Sequence, residues 1–99
     1  MKFNNYVNEM AKLPVKDNVY DDKQILRQAI IAEYDAINLY EQFAKSTSNE
    51  HIKKVMLDVA REEKEHIGEF EYLLKMIDKS FKDDKEEGYK EVEELIEKG

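Results

Sequence analysis

Asp58-Val59-Ala60-Arg61-Glu62-Glu63-Lys64-Glu65-His66-Ile67-Gly68-Glu69-Phe70 puts a carboxylate and an imidazole where the helical pattern around them reserves room for apolar side chains. Ile52, Met56, Val59, Glu63, His66, Phe70, Leu73 and Ile77 recur in alternating steps of four and three, the period of a packed helical seam. Upstream, Leu26, Ile30, Glu33, Ile37, Tyr40 and Ala44 keep the same rhythm. Glu33, Glu63 and His66 are therefore expected to face inward. An unpaired buried carboxylate costs on the order of several kcal/mol, so a cation or a proton has to meet these groups.

The rest of the chain reads as helix. One proline and three glycines leave almost no turn chemistry, and the long runs of Glu, Lys, Leu, Ala and Ile favour an all-α fold. Asp21 followed by Gln24 has the spacing of a capping box and predicts a helix to about residue 45. Ser46, Thr47, Ser48 and Asn49 break the pattern, with Thr47 and Glu50 again at capping-box spacing, and a second helix is expected over 49–78. The charged stretch Lys79 to Glu87 reads as a loop, with Asp84 and Glu87 starting a short C-terminal helix that carries Tyr89, Val92, Leu95 and Ile96 on one face. Residues 1–20 form an N-terminal extension, in which Phe3, Tyr6, Val7 and Met10 can line a short helix before Pro14, and residues 21–99 form the domain.

A connection as short as Ser46–Asn49 makes the two long helices antiparallel neighbours. Glu33 lies 14 residues before Thr47 and Glu63 lies 15 after Ser48, so they stand at nearly one height above the turn. His66 is one turn further along the face of Glu63. The three groups converge. Glu-x-x-His on one helix and Glu on its neighbour is the donor set that iron or manganese accepts, and a di-iron carboxylate bundle uses two copies of it. The chain therefore holds half of such a site and half of a four-helix bundle. Two hairpins paired about a two-fold axis would complete both, the site lying on the dimer axis.

Composition sets the outer limits. Ninety-nine residues, 41% of them hydrophobic and 39% charged, make one domain. A net charge of −7 disfavours nucleic acid and anionic membrane surfaces and suits cations. No cysteine means no thiolate ligand and no disulfide, as a reducing cytoplasm allows. Met1 to Ala11 has no apolar core of signal-peptide length, and no run approaches the roughly 20 apolar residues of a membrane span, so a cytoplasmic protein is expected.

The segments Ile25-Leu26-Arg27-Gln28-Ala29-Ile30-Ile31-Ala32-Glu33-Tyr34-Asp35-Ala36-Ile37-Asn38-Leu39-Tyr40-Glu41 and Asp58 to Phe70 resemble the encapsulated ferritins of bacteria and archaea, in particular the ferritin-like segment fused ahead of some archaeal encapsulin shells. The resemblance covers roughly residues 20–98. It implies hairpins that dimerise, a ferroxidase centre between subunits, and dimers assembled into a ring-shaped decamer within an encapsulin nanocompartment. Glu33, Glu63 and His66 would be the iron ligands, and Tyr40 would lie beside the centre. Detachable cargo proteins of this family carry an apolar, basic-ended docking tail, which Ile96-Glu97-Lys98-Gly99 does not match. A shell fusion is the other arrangement.

Other readings stand beside this one. Glu33 can be a register-fixing polar residue paired with a lysine, and His66 a satisfied core histidine. Glu62, Glu65 and Glu69 make an acidic stripe that either draws iron toward the site or is simply a solvated helix face. His51 is expected near a helix start and exposed, Tyr34 and Tyr72 as packing residues, Met56 and Met76 in the core. The functional alternatives are a rubrerythrin-like di-iron peroxidase, a redox-silent manganese or zinc site, and a non-enzymatic helical assembly module.

Overall fold

The structure, a computed structural model, describes residues 20–98, and the expected helix around Phe3, Tyr6, Val7 and Met10 lies outside them. Among the described residues there are three helices and no strand: α1 (Asp22–Ser46), α2 (Glu50–Ile77) and α3 (Lys79–Lys98). No helix among them is long and apolar enough to cross a membrane.

Each boundary has a local cause. The Gln24 N–H donates to Asp21 Oδ1 at 2.8 Å and the Asp21 N–H returns to Gln24 Oε1 at 3.0 Å, the reciprocal capping box that the sequence predicts. At the turn the cap is Asn49, not Thr47. Asn49 Oδ1 accepts from the N–H groups of His51 and Ile52, while Thr47, extended at φ −99° and ψ 143°, spends its hydroxyl on the Asn49 N–H. The break between α2 and α3 falls at Asp78, not at the expected loop over 79–87. Its N–H donates to Leu74 O at the end of α2, and its Oδ1 accepts from Ser80 Oγ and the Phe81 N–H at the start of α3. One buried residue thus closes one helix and opens the next, which lengthens the C-terminal helix to 20 residues.

α1 and α2 pack as an antiparallel hairpin around Ala36, Ile37, Ala44, Ala60, Ile67 and Leu74. The contact does not use α2 as the heptad reading implies. Ala60, Ile67 and Leu74 face α1, one position beyond the expected seam, while Ile52 and Leu73 of that seam are exposed and Val59 and His66 only half covered. An apolar stripe this wide serves more than one neighbouring helix, and a hairpin offers only one. Tyr34, Tyr72 and Met76, expected to pack, are exposed; Met56, expected in the core, is only half-buried, and His51 is exposed, as expected. The Cα radius of gyration is 17.0 Å, against about 13 Å for a compact chain of this length.

Among the described residues α3 packs on α2 and not on α1, and none of its own residues is buried. Two polar contacts fix it. Arg27 Nη2 on α1 donates to Asp78 Oδ2 at 3.2 Å. Lys85 Nζ donates to Glu71 Oε1 at 2.7 Å and lies 5.6 Å and 5.9 Å from the ring centroids of Phe81 and Tyr89, a cation held by a carboxylate and two aromatic faces. The Glu71 hydrogen bond raises the Lys85 pKa against the opposing effect of burial. The Ser80 hydroxyl, and next the Phe81 amide, hold the Asp78 carboxyl below its ordinary value.

Asn49→Ala is expected to cost about 1 kcal/mol in denaturant unfolding, the usual worth of an N-cap. Asp78→Ala removes both the α3 cap and the Arg27 pairing, whereas Asp78→Asn keeps most of the cap; amide exchange at Phe81 is expected to accelerate strongly in the first and weakly in the second. Because the folded-state pKa of Asp78 is depressed, its contribution is complete above the ordinary aspartate value of about 3.9 and is lost as pH falls through the lower folded value. Phe81 exchange, corrected for the intrinsic rate and followed downward from neutral pH, checks the sign.

Candidate metal centre

Glu33 lies on α1, half-way between the Asp21 cap and the turn, and Glu63 and His66 lie one turn apart on α2. Since Asn49 caps α2 three residues after α1 ends, the two helices run back along one another and the three side chains reach one level. One ligand atom from each of Glu33, Glu63 and His66 lies within 4.8 Å of the others, the only group of three or more such residues so arranged among the described residues. The convergence expected from the spacing is what the fold produces.

The site is built as an anion pair beside an imidazole. Both carboxylate side chains are 14% exposed and the imidazole is 45% exposed. His66 Nδ1 lies 3.4 Å from Glu33 Oε2 and 3.5 Å from Glu63 Oε2, longer than ordinary N–H···O bonds. Glu33 Oε2 is buried and, among the described residues, accepts no hydrogen bond. The distance to His66 makes an ion pair only when the imidazole is protonated, and the geometry at Glu33 Oε2 does not make a hydrogen bond in either state. Among the described residues no lysine or arginine is within ion-pair distance of either carboxylate, which weighs against the register-fixing ion pair as an account of Glu33.

Two carboxylates this close oppose one another by on the order of a few kcal/mol, and a buried acceptor without a donor adds to that cost. A divalent cation answers both deficits, and carboxylate oxygen with imidazole nitrogen is a donor set suited to iron, manganese or zinc. Three such donors would leave coordination positions free on a bound ion, and His66 is the member on the exposed side.

The neighbouring residues divide clearly. Tyr40 is two turns from Glu33 toward the loop, half-buried, its ring edge-on to Phe43 with centroids 6.2 Å apart. Glu62, Glu65 and Glu69 are exposed; Arg61 binds Glu65 at 2.9 Å and Asp58 at 3.2 Å and lies 4.0 Å from Glu62, so part of the stripe is already neutralised. That favours the solvated-face reading of these acids. Asp78 was missed by sequence reasoning, although Asp followed by Ser two and an amide three residues later is a capping signal.

Comparison with known proteins agrees with this frame. A family model described as Rubrerythrin matches residues 24–98. The ferritin-like-encapsulin shell fusion protein of Pyrococcus furiosus is 54% identical over 72 residues, which are 73% of this chain and 21% of that protein. The encapsulin nanocompartment cargo protein EncB of Myxococcus xanthus is 36% identical over 62 residues, 63% of this chain and 39% of the cargo protein. The chain thus spans well under half the length of either curated relative. The crystal structure of an encapsulated ferritin domain from Pyrococcus furiosus matches with a TM-score of 0.75 at 49% identity, covering 84% of this chain and 88% of that one. On a family match across three-quarters of its length and a structural match across nearly all of the compared domain, the chain belongs to the rubrerythrin family and is a close homologue of an encapsulated ferritin domain.

Proposed function

We propose that two copies of this chain pair through the open stripe of α2, bring two sets of Glu33, Glu63 and His66 together, and oxidise Fe(II) to Fe(III) at the resulting di-iron centre. The observation that carries the reading is Glu33 Oε2, a buried carboxylate oxygen with no donor among the described residues, within reach of a second carboxylate and an imidazole. Four carboxylates and two neutral imidazoles balance two divalent ions. Ile52, Val59, His66 and Leu73 recur every seven residues along the side of α2 that α1 leaves uncovered, so pairing there buries apolar surface and encloses His66 in one step.

The residues divide the work by charge. Glu33 and Glu63 are anionic oxygen donors, which favour the higher charge of the oxidised ion over the reduced one. His66 supplies a nitrogen donor without adding negative charge. The helical seam holds all three from elements that do not shift as a loop would. When bound, the iron pair supplies the redox chemistry, one electron from each Fe(II) to O2 or peroxide. An open pair has no cavity for mineral, so the oxidised product needs an outside sink. The names of the relatives, a shell fusion and a nanocompartment cargo, support an encapsulin interior as that sink and as the location of the protein.

Mixing the anaerobic Fe(II)-loaded protein with O2 in a stopped-flow spectrophotometer is expected to give near-ultraviolet absorbance growth well ahead of Fe(II) in buffer. Glu33→Ala, Glu63→Ala and His66→Ala should each fall to the buffer rate. Equal rates for wild type and Glu63→Ala would instead favour an assembly module. Binding without oxidation would favour the redox-silent site, and turnover with peroxide but not O2 the peroxidase. In metal-free protein, Glu33→Leu is expected to raise unfolding stability by about 1–3 kcal/mol while abolishing Fe(II) binding, because it removes an uncompensated buried acceptor. Calorimetry without iron checks that sign.

A further inference from the structure

The face that carries the metal cluster runs on into an apolar groove at the open end of the hairpin. Leu26 lies seven residues before Glu33 on α1 and Leu73 seven residues after His66 on α2, two helical turns from the cluster on the same side. With Asp22, Ile25, Met76 and Ile77 they line a groove of about 260 Å³. Ile25, Met76 and Ile77 are 51%, 69% and 45% exposed, and among the described residues Asp22 is the only charged one in the lining.

The chain itself brings an apolar segment to this place. Phe3, Tyr6, Val7 and Met10 stand at i, i+3, i+4 and i+7, the spacing of one helical face, and Pro14 limits that segment. Nineteen residues precede Tyr20, the first described residue. Tyr20 is half-buried and Asp21 caps α1, so the chain enters the fold directly beside Asp22, the first wall of the groove. Residues 11–19 can span up to about 30 Å when extended, while the helical turns expected over 3–10 need about 12 Å. The groove is within reach of the segment.

Tethering and charge favour this occupant over a second copy. A short tether holds the segment at an effective concentration on the order of millimolar. Residues 1–19 hold three lysines and two acids, a net-basic arm on a chain of net charge −7, and Lys2 and Lys12 bracket the apolar run that would lie against Asp22. A second copy has to overcome the repulsion between two acidic chains, and its pairing stripe meets the groove at Leu73.

We infer that residues 3–10 dock through Phe3, Tyr6, Val7 and Met10 into the Asp22–Ile77 groove of their own chain, and that a second copy must displace them to pair along the whole open stripe of α2. The second half of this inference rests on the pairing proposed above, because Leu73 belongs both to the groove and to the stripe of Ile52, Val59 and His66. Arm and copy compete for one surface. The arm thereby sets a threshold for pairing, and Fe(II), which binds the paired form better, moves the equilibrium past it.

The chain has no cysteine, so Val7→Cys with Met76→Cys introduces a single pair of thiols. Mild oxidation of this variant, dilute and metal-free, is expected to give a disulfide within one chain, read by non-reducing electrophoresis and peptide mapping. In sedimentation with Fe(II), the oxidised chain should fail to pair and should recover on reduction. Phe3→Ser with Val7→Ser, in the otherwise unaltered chain, should pair at a concentration at least about tenfold lower than wild type, the shift expected if a docked arm leaves about a tenth of the chains competent. Its helicity and its iron content per pair should not change. Thiols that join only different chains, an oxidised chain that pairs like the reduced one, or a Phe3 and Val7 variant that pairs no more readily than wild type would overturn the assignment. An intrachain disulfide in a chain that never pairs would uphold the docking and overturn the pairing on which the competition rests.

Discussion

Two carboxylates held at one level of a helical seam, one with an oxygen that no donor among the described residues reaches, are the constraint to which the hairpin answers. Apolar residues at positions 33 and 63 would pack without that cost, so the penalty is local and specific. It also dictates where things must be. The three-residue connection makes the helices antiparallel, the Asn49 cap fixes where α2 begins, and together they set Glu33 level with Glu63 and His66. A connection altered by two residues would move the cluster by about 3 Å and part its members.

The same economy explains why the single chain looks unfinished. α2 has two adjacent apolar stripes. Ala60, Ile67 and Leu74 go to α1, and the stripe through Val59 and His66 is left on the open side. Among the described residues, a hairpin core of six buried hydrophobic side chains is small. Under the proposed pairing, self-association would supply the rest of the core and give the exposed imidazole a second wall. On that proposal stability and chemistry would depend on one surface. α3 stands outside that scheme, pinned at its root by Asp78 and Lys85, with its tip unoccupied.

Much of this was legible in the sequence, and the failures have identifiable causes. Asp21 and Gln24 form the capping box that their spacing announces, and the residue count on either side of the turn placed the cluster correctly. Thr47 and Glu50 had capping-box spacing too, but Asn49 sits closer to the first free amides and took the cap, drawing Thr47 into supporting it. The α2 seam was misplaced by one position because both of its stripes have helical period, and period cannot say which of two stripes faces a given neighbour. Lys79 to Glu87 looked like a loop because nearly every residue is polar. The helix there owes its start to Asp78 and its hold on α2 to the Lys85–Glu71 contact, neither of which leaves an apolar signature.

The central claim is that one chain carries half a centre and pairing completes it. Native mass spectrometry of the protein titrated anaerobically with Fe(II) counts ions and chains in the same particle. The account predicts two irons per pair, with iron occupancy rising together with the paired species. Two irons on a single chain, or pairs that stay iron-free in excess Fe(II), would contradict it.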